Sequence, residues 1–463
     1  MAANSSNTST SPFTQAYSGK QIFIVILIIM TALLVDILII RISDLTLKST
    51  SSWPFSLFAI ISGISLAGQN LMLRFIKQQV DKSVNVQKSL RLNSLYKIAV
   101  IVHYILAAII VFAILQMLIT SRYDVVLLVS AITISYVFAI SMMVLLSHRF
   151  FSWFRLNKSY TIFLYGLSSA MLVANACFAL WLVNSILFDR PRDVIPRVIV
   201  NPPVVIASPV NNILNYAYVI TTITSFIVTW CATIGLLKNY THKMPKSVYW
   251  LVLIIPLAYF VSQFLIFSFG LIRPLIISNP TFYGILFTII FTLSKPIGGI
   301  IFGIAFWLIA RNIQKDNVVR NYLVISGYGF LLLFASNQAL LLTFTEYPPF
   351  GLVTVSFVGL SSYLVLLGIF SSAISISHDA NLRRQMRRLA IRESKLLDSI
   401  GKAQLEEQVR KRVLHTTRLS KSELEGAGIP STLDEEEMNR YVEDVLKEIR
   451  TIQSEGSFKN ENS

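Results

Sequence analysis

Long apolar stretches separated by short polar segments fill the chain up to residue 377. A helix needs roughly 20 apolar residues to cross about 30 Å of hydrocarbon, because it rises about 1.5 Å per residue. Residues 98–121 and 347–377 contain no charged residue. The pattern predicts an all-α, polytopic bundle of about ten transmembrane helices, near residues 21–40, 54–75, 98–120, 125–147, 161–188, 213–237, 250–272, 283–310, 321–344 and 351–377.

Composition and charge support a membrane protein and argue against a nucleic-acid binder. Of the 463 residues, 54% are hydrophobic and 14% are charged, whereas soluble proteins average about 25% charged residues. The formal net charge of +16 is carried by residues 1–377, which hold 24 Lys and Arg against 8 Asp and Glu. These basic residues lie between apolar runs and not on a soluble face. We therefore expect the lipid bilayer as a partner and no nucleic acid.

The basic residues also orient the predicted helices. They gather in alternate loops, at residues 74–97, 148–158, 238–247 and 311–320. Basic loops stay on the cytoplasmic side, so we expect a plasma-membrane protein with both termini in the cytoplasm. The first loop is nearly neutral, which leaves a shifted first span, or a count of nine or eleven, open. Residues 1–20 and 456–463 are expected to be disordered.

One predicted span contains a lysine beside a helix-breaking sequence. Lys295 lies near the expected bilayer midplane and is followed by Pro296, Gly298 and Gly299. Proline and glycine weaken a helix, so this segment predicts a kinked or broken helix with a cation at the break. Many transporters build binding sites from such breaks. The alternative is a proline kink whose lysine pairs with the freed carbonyls.

Other polar residues are candidates to line the same midplane site or to act elsewhere in the membrane. Uncharged candidates at a depth similar to that of Lys295 are Asn175, Gln263, Ser361 and Ser362. Asp36 is interpreted as a hydrated carboxylate at the membrane rim or as the counter-charge of Lys295. His103 is either a hydrogen-bonded packing residue or a proton relay. Gly299 and Gly303 form a small-xxx-small pattern for close helix packing.

The C-terminal residues 378–455 predict a short cytoplasmic helical tail. The last span is expected to continue as a helix over residues 379–414, and a second helix is expected near residues 433–453. The second helix has an apolar stripe that must pack on the first, on a second copy or on another protein. Five arginines after the membrane are expected to contact anionic lipids or to serve as a simple anchor: Arg383, Arg384, Arg387, Arg388 and Arg392.

The chain contains no motif that indicates catalysis. It has no P-loop, nucleophile elbow, HExxH motif or Cys/His cluster. We therefore expect no enzymatic activity, no cofactor and no metal site.

Three segments carry a resemblance to a known group. SKPIGGIIFGIAFWLIARNI at 294–313, YPPFGLVTVSFVGLSSYL at 347–364 and SKLLDSIGKAQLEEQV at 394–409 resemble multi-pass membrane proteins of ammonia-oxidising archaea. The resemblance covers about the C-terminal third. It implies a membrane fold of ten or a similar number of helices in a prokaryotic plasma membrane, and it implies no activity.

Three functions follow from these patterns, and we rank them in order. The first is a sensor or regulator that relays to a partner through the helical tail. The second is a small-solute transporter with its site at Lys295 and Pro296. The third is a scaffold subunit of a membrane complex.

Overall fold

The structure is a computed structural model. It describes residues 19–46, 53–81, 86–188, 192–195, 209–237, 246–268, 290–314, 317–338, 347–379 and 395–426, and single positions at 278, 342, 383 and 444. In these ranges the chain is almost entirely α-helical, and ten of the helices are long and apolar enough to cross a membrane. The all-α polytopic architecture is therefore confirmed for the described part of the chain.

Eleven helices and two short strands are described. The helices are α1 (Gly19–Thr46), α2 (Trp53–Asp81), α3 (Val86–Thr120), α4 (Val125–Leu156), α5 (Tyr160–Phe188), α6 (Pro209–Leu237), α7 (Lys246–Ser268), α8 (Ser294–Arg311), α9 (Val318–Ser336), α10 (Leu352–His378) and α11 (Lys395–Gly426). The strands are β1 (Tyr123–Asp124) and β2 (Asp193–Val194), which pair in antiparallel fashion.

Two helix ends differ from the sequence pattern, and one predicted span is interrupted. A turn at Thr292 and Leu293 separates α8 from helical Ile290 and Phe291, next to Lys295 where a kinked or broken helix was expected, and residues 283–289 of that span lie outside the described residues. Helix α9 ends at Ser336, eight residues before the predicted end. Helix α10 ends at His378, because Asp379 is extended with φ −100° and ψ 111°. This last end contradicts the expected uninterrupted helix from the last span into the tail.

Six helices form two units of three that pack in chain order. The first unit is α4–α6 and the second unit is α8–α10. Between the units, α4 packs on α10 and α6 packs on α8. Helix α10 is central, since every residue from Leu352 to Ile369 is buried. Helices α1, α2 and α3 pack around α10 on its other side, and α7 lies against α6 and α8.

The two units run in the same directions. In the second unit, Gly303 approaches Gly327 while Gly299 approaches Leu331, so α8 and α9 are antiparallel. In the first unit, Ser147 donates to the carbonyl of Gly166, which makes α4 and α5 antiparallel as well.

Helices α5 and α6 are antiparallel through Asn175–Thr222 and Ser168–Thr229, and α9 and α10 are antiparallel through Gly329–Val365 and Gly368–Ser326. Helix α4 runs parallel to α10, because Ser135 bonds to Val355 and Arg149 lies over the Phe370 ring. Helices α4, α6, α8 and α10 therefore run in one direction, and α5 and α9 run in the other.

The two ends of the bundle are distinct. At one end, which we call the strand end, β1 and β2 join the α3–α4 connection to the chain after α5. Arg122 lies 3.2 Å from Asp193 and Arg192 lies 3.6 Å from Asp124, so the pairing is reinforced by two reciprocal ion pairs. At the other end, which we call the tail end, α11 packs against α10, α4 and α5.

Glycines bring α8 and α9 into backbone contact. A Cβ added at Gly303 would lie 2.7 Å from the carbonyl oxygen of Gly327, and one added at Gly299 would lie 3.0 Å from that of Leu331. The small-xxx-small pattern of α8 is therefore used for packing inside the chain.

Candidate solute site between the two three-helix units

Lys295 lies where two helices end inside the bundle. It is the second residue of α8, and its ammonium Nζ donates to the main-chain carbonyl of Asn337 at 3.2 Å, just past the end of α9. The last carbonyls of a helix have no partner within it and carry partial negative charge. The lysine therefore satisfies one of the carbonyls that the end of α9 leaves free.

A tyrosine from the first unit provides the second contact of Lys295. Nζ donates to Tyr218 Oη at 3.3 Å, and it lies 5.6 Å from the centroid of the Tyr218 ring. Tyr218 is on α6 and is only 4% exposed. An ammonium near an aromatic face is attracted by the ring quadrupole. Lys295 thus contacts both units, through α6 and through the end of α9.

A chain of hydrogen bonds extends from this position across the interface of the units. Tyr136 donates to Asn337 Oδ1 at 3.0 Å, and Asn337 Nδ2 donates to Asn175 Oδ1 at 3.0 Å. Asn175 Nδ2 in turn donates to Thr222 Oγ1 at 2.7 Å. These four residues are buried. We call Lys295, Tyr218 and these four residues the polar cluster.

The polar cluster lies deep in the bundle. Asn175 is at the middle of α5, and Tyr136 is about 7 Å from the middle of α4 toward the strand end, at a rise of about 1.5 Å per residue. Tyr218 is displaced by a similar distance along α6. The cluster is therefore close to the middle of the three long helices of the first unit.

The local electrostatics favour a negative ligand. The described contacts of Lys295 are a carbonyl, a hydroxyl and a ring, and none of them carries a formal negative charge. The ammonium also sits in the first turn of α8, where the helix dipole is positive. Lys295 is partly buried, and removing an ammonium from water is costly when its described partners are neutral. An anion would therefore be stabilised here by both the lysine and the helix end.

Pro296, Gly298 and Gly299 give α8 its start and its close packing. Pro296 is the third residue of α8, where the missing amide costs no helical hydrogen bond. The break therefore comes just before Lys295. Gly298 faces the Phe226 ring, since a Cβ there would lie 2.3 Å from that side chain.

The structure brings together some predicted site residues and not others. Asn175 joins Lys295 in the polar cluster. Gln263, Ser361 and Ser362 each donate to a main-chain carbonyl of their own helix, from Phe260, Phe357 and Val358. Among the described contacts, these three therefore do not connect to the cluster.

Four members of the polar cluster are not among the site residues predicted from the sequence. They are Tyr136, Tyr218, Thr222 and Asn337. The sequence offers a short echo between the two units, because Tyr165-Gly166 begins ten residues before Asn175 and Tyr328-Gly329 begins nine residues before Asn337. That echo pairs the two asparagines, and the structure has them in contact.

Asp36 has a different role from either one expected. It is 0% exposed and is therefore not a hydrated rim residue. Its carboxylate accepts from the amides of Gly351 and Thr354 at 3.0 and 3.1 Å and from the Thr354 hydroxyl at 2.6 Å. Lys295 is not among its described partners. Asp36 instead caps the start of α10, where the helix dipole favours a negative charge.

His103 connects three helices. Its Nδ1 lies 2.8 Å from Gln69 Oε1, and Gln69 Nε2 donates to Ser356 Oγ at 2.9 Å. The chain links α3, α2 and α10 and fits the packing alternative.

Part of the predicted tail lies outside the described residues. Of the five arginines, only Arg383 is described, and its guanidinium donates to the Ser377 carbonyl. Arg384, Arg387, Arg388 and Arg392 lie outside, and so does the predicted helix at 433–453 except Asp444. Their lipid and protein contacts stay predictions.

Comparison of the chain with protein families, with curated proteins and with solved structures finds no match.

Proposed function

We propose that the protein is a membrane transporter, and not an enzyme, that binds a small anionic solute at Lys295 between its two three-helix units. The observation that carries the proposal is the ammonium of Lys295, which is held at two helix ends by partners that are all neutral among the residues the structure describes. Its position makes a negatively charged solute the partner that would compensate the charge.

The arrangement of the units supports transport. The two units have the same succession of directions, and the contact of α4 with α10 corresponds to that of α8 with α6. Transporters with parallel repeats bind their substrate near the midplane where the repeats meet. The Asn175–Asn337 hydrogen bond joins the middle helices of the two units, next to Lys295.

We place the tail end in the cytoplasm of a plasma-membrane protein. The tail end carries Lys77, Arg149, Arg155 and Lys158 at or near helix ends. Basic residues at this density mark the cytoplasmic side.

The first test is thermal stability of the purified protein with small anions and with neutral solutes of matched size. Chloride, nitrate, acetate or phosphate is expected to stabilise the wild type and to leave Lys295→Met unchanged. Lys295→Arg keeps the charge and should retain part of the effect, and Lys77→Met removes an exposed lysine as the control. The stabilising anion should then cross the membrane of proteoliposomes that contain the wild type and not those with Lys295→Met.

Two results would contradict the proposal. One is stabilisation by neutral solutes only. The other is an anion effect of the same size in Lys295→Met as in the wild type.

A sensor or regulator is the second candidate, because α11 docks on the transmembrane bundle. Glu407 of α11 pairs with Arg149 of α4 at 3.0 Å, and Arg149 also lies over the Phe370 ring of α10 at 5.2 Å. Movement in α4 or α10 would therefore reach α11. The end of α10 at His378 removes the continuous helix on which this function first rested. Deleting residues 394–463 separates the two candidates: a transporter keeps solute flux, whereas a sensor keeps ligand binding and loses its output.

A further inference from the structure

Two contacts fix the face that α2 turns toward the start of α10. Phe58 packs edge-on against Phe350, with the ring centroids 5.7 Å apart. Further along α2, Gln69 Nε2 donates to Ser356 Oγ at 2.9 Å. Phe58 and Gln69 are about three turns of helix apart, so they lie on one stripe of α2. That stripe covers the chain between Phe350 and Ser356.

Ser62 and Ser65 occupy the same stripe between these contacts. They follow Phe58 and precede Gln69 at the spacing of three and four residues that keeps side chains on one helix face. Both serines are 0% exposed, and their hydroxyls have no hydrogen-bond partner among the described residues. A helical serine can bond the carbonyl four residues back, as Ser361 does. The two hydroxyls of α2 are instead left for a partner on the side of α10.

The carboxylate of Asp36 is bound at the same stretch of α10. It accepts from the amides of Gly351 and Thr354 and from the Thr354 hydroxyl. Both residues lie in the part of the chain that the stripe of α2 covers. The carboxylate and the two free hydroxyls are therefore directed at one place.

The register of α1 against α2 brings Asp36 to the same level. A Cβ added at Gly68 would lie 2.6 Å from the Ile29 side chain, so these two residues face each other. The connection between α1 and α2 is too short to span the length of either helix, so the two are antiparallel. Asp36 is two turns beyond Ile29, and the position two turns before Gly68 is next to Ser62. Asp36 therefore faces α2 beside Ser62.

The charge of Asp36 is only partly compensated by its partners. The start of a helix is equivalent to about half of a positive elementary charge, against a full negative charge on the carboxylate. Neither a lysine nor an arginine is among the described partners of Asp36. Because a buried charge is costly without a compensating charge, the position favours one small positive ligand.

The oxygen atoms that meet here suit an alkali-metal cation. Carboxylate and hydroxyl oxygens are ligands of hard cations, and the Thr354 hydroxyl lies 2.6 Å from the Asp36 carboxylate. A single carboxylate is a low charge count, which favours a monovalent cation over a divalent one. Such a site uses no cysteine or histidine, so a search of the sequence for Cys/His clusters does not detect it.

We propose that Asp36, Ser62, Ser65 and Thr354 bind an alkali-metal cation such as Na⁺ between α1, α2 and α10. The cation gives the two serine hydroxyls a partner and completes the compensation of the Asp36 charge. The site goes beyond the proposed solute site and does not rest on it, because it lies among other helices and uses other residues.

The test is thermal unfolding of the purified protein in sodium, potassium and choline chloride, at one pH and one ionic strength. Chloride is the same in every sample, so an anion at Lys295 does not change the comparison. A ligand that binds only the folded state raises the unfolding temperature as its concentration rises. Sodium or potassium chloride should therefore stabilise the wild type relative to choline chloride.

The double variant Ser62→Ala/Ser65→Ala separates cation binding from folding. It removes two hydroxyls that lack a partner among the described residues, so in choline chloride it should be at least as stable as the wild type. In the alkali chloride it should need about tenfold more salt for half of the stabilisation. The control Ser361→Ala/Ser362→Ala removes two equally buried hydroxyls and should keep the response of the wild type, whereas Asp36→Asn should lose it.

Two outcomes would overturn the proposal. One is the same unfolding temperature of the wild type in the three salts; if a lower pH then stabilises the wild type and not Asp36→Asn, the ligand of the carboxylate is a proton. The other is the same half-effect concentration in Ser62→Ala/Ser65→Ala as in the wild type, which would place the cation elsewhere.

Discussion

The contact of α8 with α9 predicts opposite changes in stability for alanine substitutions at two helical glycines. Gly303 lies against the main chain of α9, and a Cβ there would be 2.7 Å from the carbonyl oxygen of Gly327. Gly63 on α2 is also inside a helix, but a Cβ there would meet nothing within 4 Å. We therefore expect Gly303→Ala to destabilise the protein and Gly63→Ala to stabilise it.

The magnitudes follow from the two environments. A carbon and a carbonyl oxygen approach to about 3.3 Å in weak contacts, so α8 and α9 must separate by roughly 0.6 Å to admit the methyl group of Gly303→Ala. Overpacking of this kind costs about 1–3 kcal/mol. It outweighs the gain of about 0.5–1 kcal/mol that replacing a helical glycine by alanine normally brings. Gly63→Ala has the gain without the clash.

The assay is thermal unfolding of the two variants in one detergent, with the wild type alongside. Gly303→Ala should unfold at a lower temperature than the wild type, and Gly63→Ala should unfold at the same or a higher one. Because Lys295 is on α8 and its carbonyl partner follows α9, anion binding should also weaken in Gly303→Ala. Equal or higher stability of Gly303→Ala would refute the close approach of the two helices.

Three further predictions concern other contacts. Asp36→Ala leaves three buried donors at the start of α10 without their acceptor, which should destabilise the protein by about 1–3 kcal/mol for each donor before relaxation. Asp36→Asn keeps one acceptor and should lose less stability, and thermal unfolding measures both variants. Arg149→Gln and Glu407→Gln should couple in a double-mutant cycle by about 0.5–1 kcal/mol at most, because the pair is partly exposed, and zero coupling would remove the pair from the docking of α11. Single cysteines at Asp193 and Thr416, in a variant without native cysteines, should be labelled from opposite sides of sealed membranes, with Asp193 outside; labelling from one side would overturn the topology.

The number of spans was predictable because the signal is local. A run of roughly 20 apolar residues is enough to require a helix in hydrocarbon, whatever it packs against. The described helices accordingly cover the ten predicted stretches at least in part. The ends of helices inside the bundle are not predictable in this way, because their free carbonyls are bound by residues distant in sequence. The main-chain carbonyl of Asn337, just after the end of α9, is bound by Lys295, which lies 42 positions earlier in the sequence.

The polar residues also show that contacts between distant residues were not predictable from the sequence. Their depth was readable from position along a span, and depth placed Asn175 correctly beside the level of Lys295. The sequence did not show whether a polar side chain hydrogen-bonds to another helix or to the main chain of its own helix. Ser361 and Ser362 donate to carbonyls four residues back, a contact open to any serine in a helix. Asn175 instead meets Asn337, at a separation of 162 positions.

Asn337 links three helices through hydrogen bonds. Its Oδ1, Nδ2 and main-chain oxygen bind Tyr136 on α4, Asn175 on α5 and Lys295 on α8. Hydrogen bonds between membrane helices average about 0.6 kcal/mol, so releasing all three costs about 2 kcal/mol. That corresponds to a population ratio of roughly 30. These hydrogen bonds alone therefore favour the closed arrangement of the two units by about that ratio, and the packing of the helices around Asn337 adds to the free energy of separating the units.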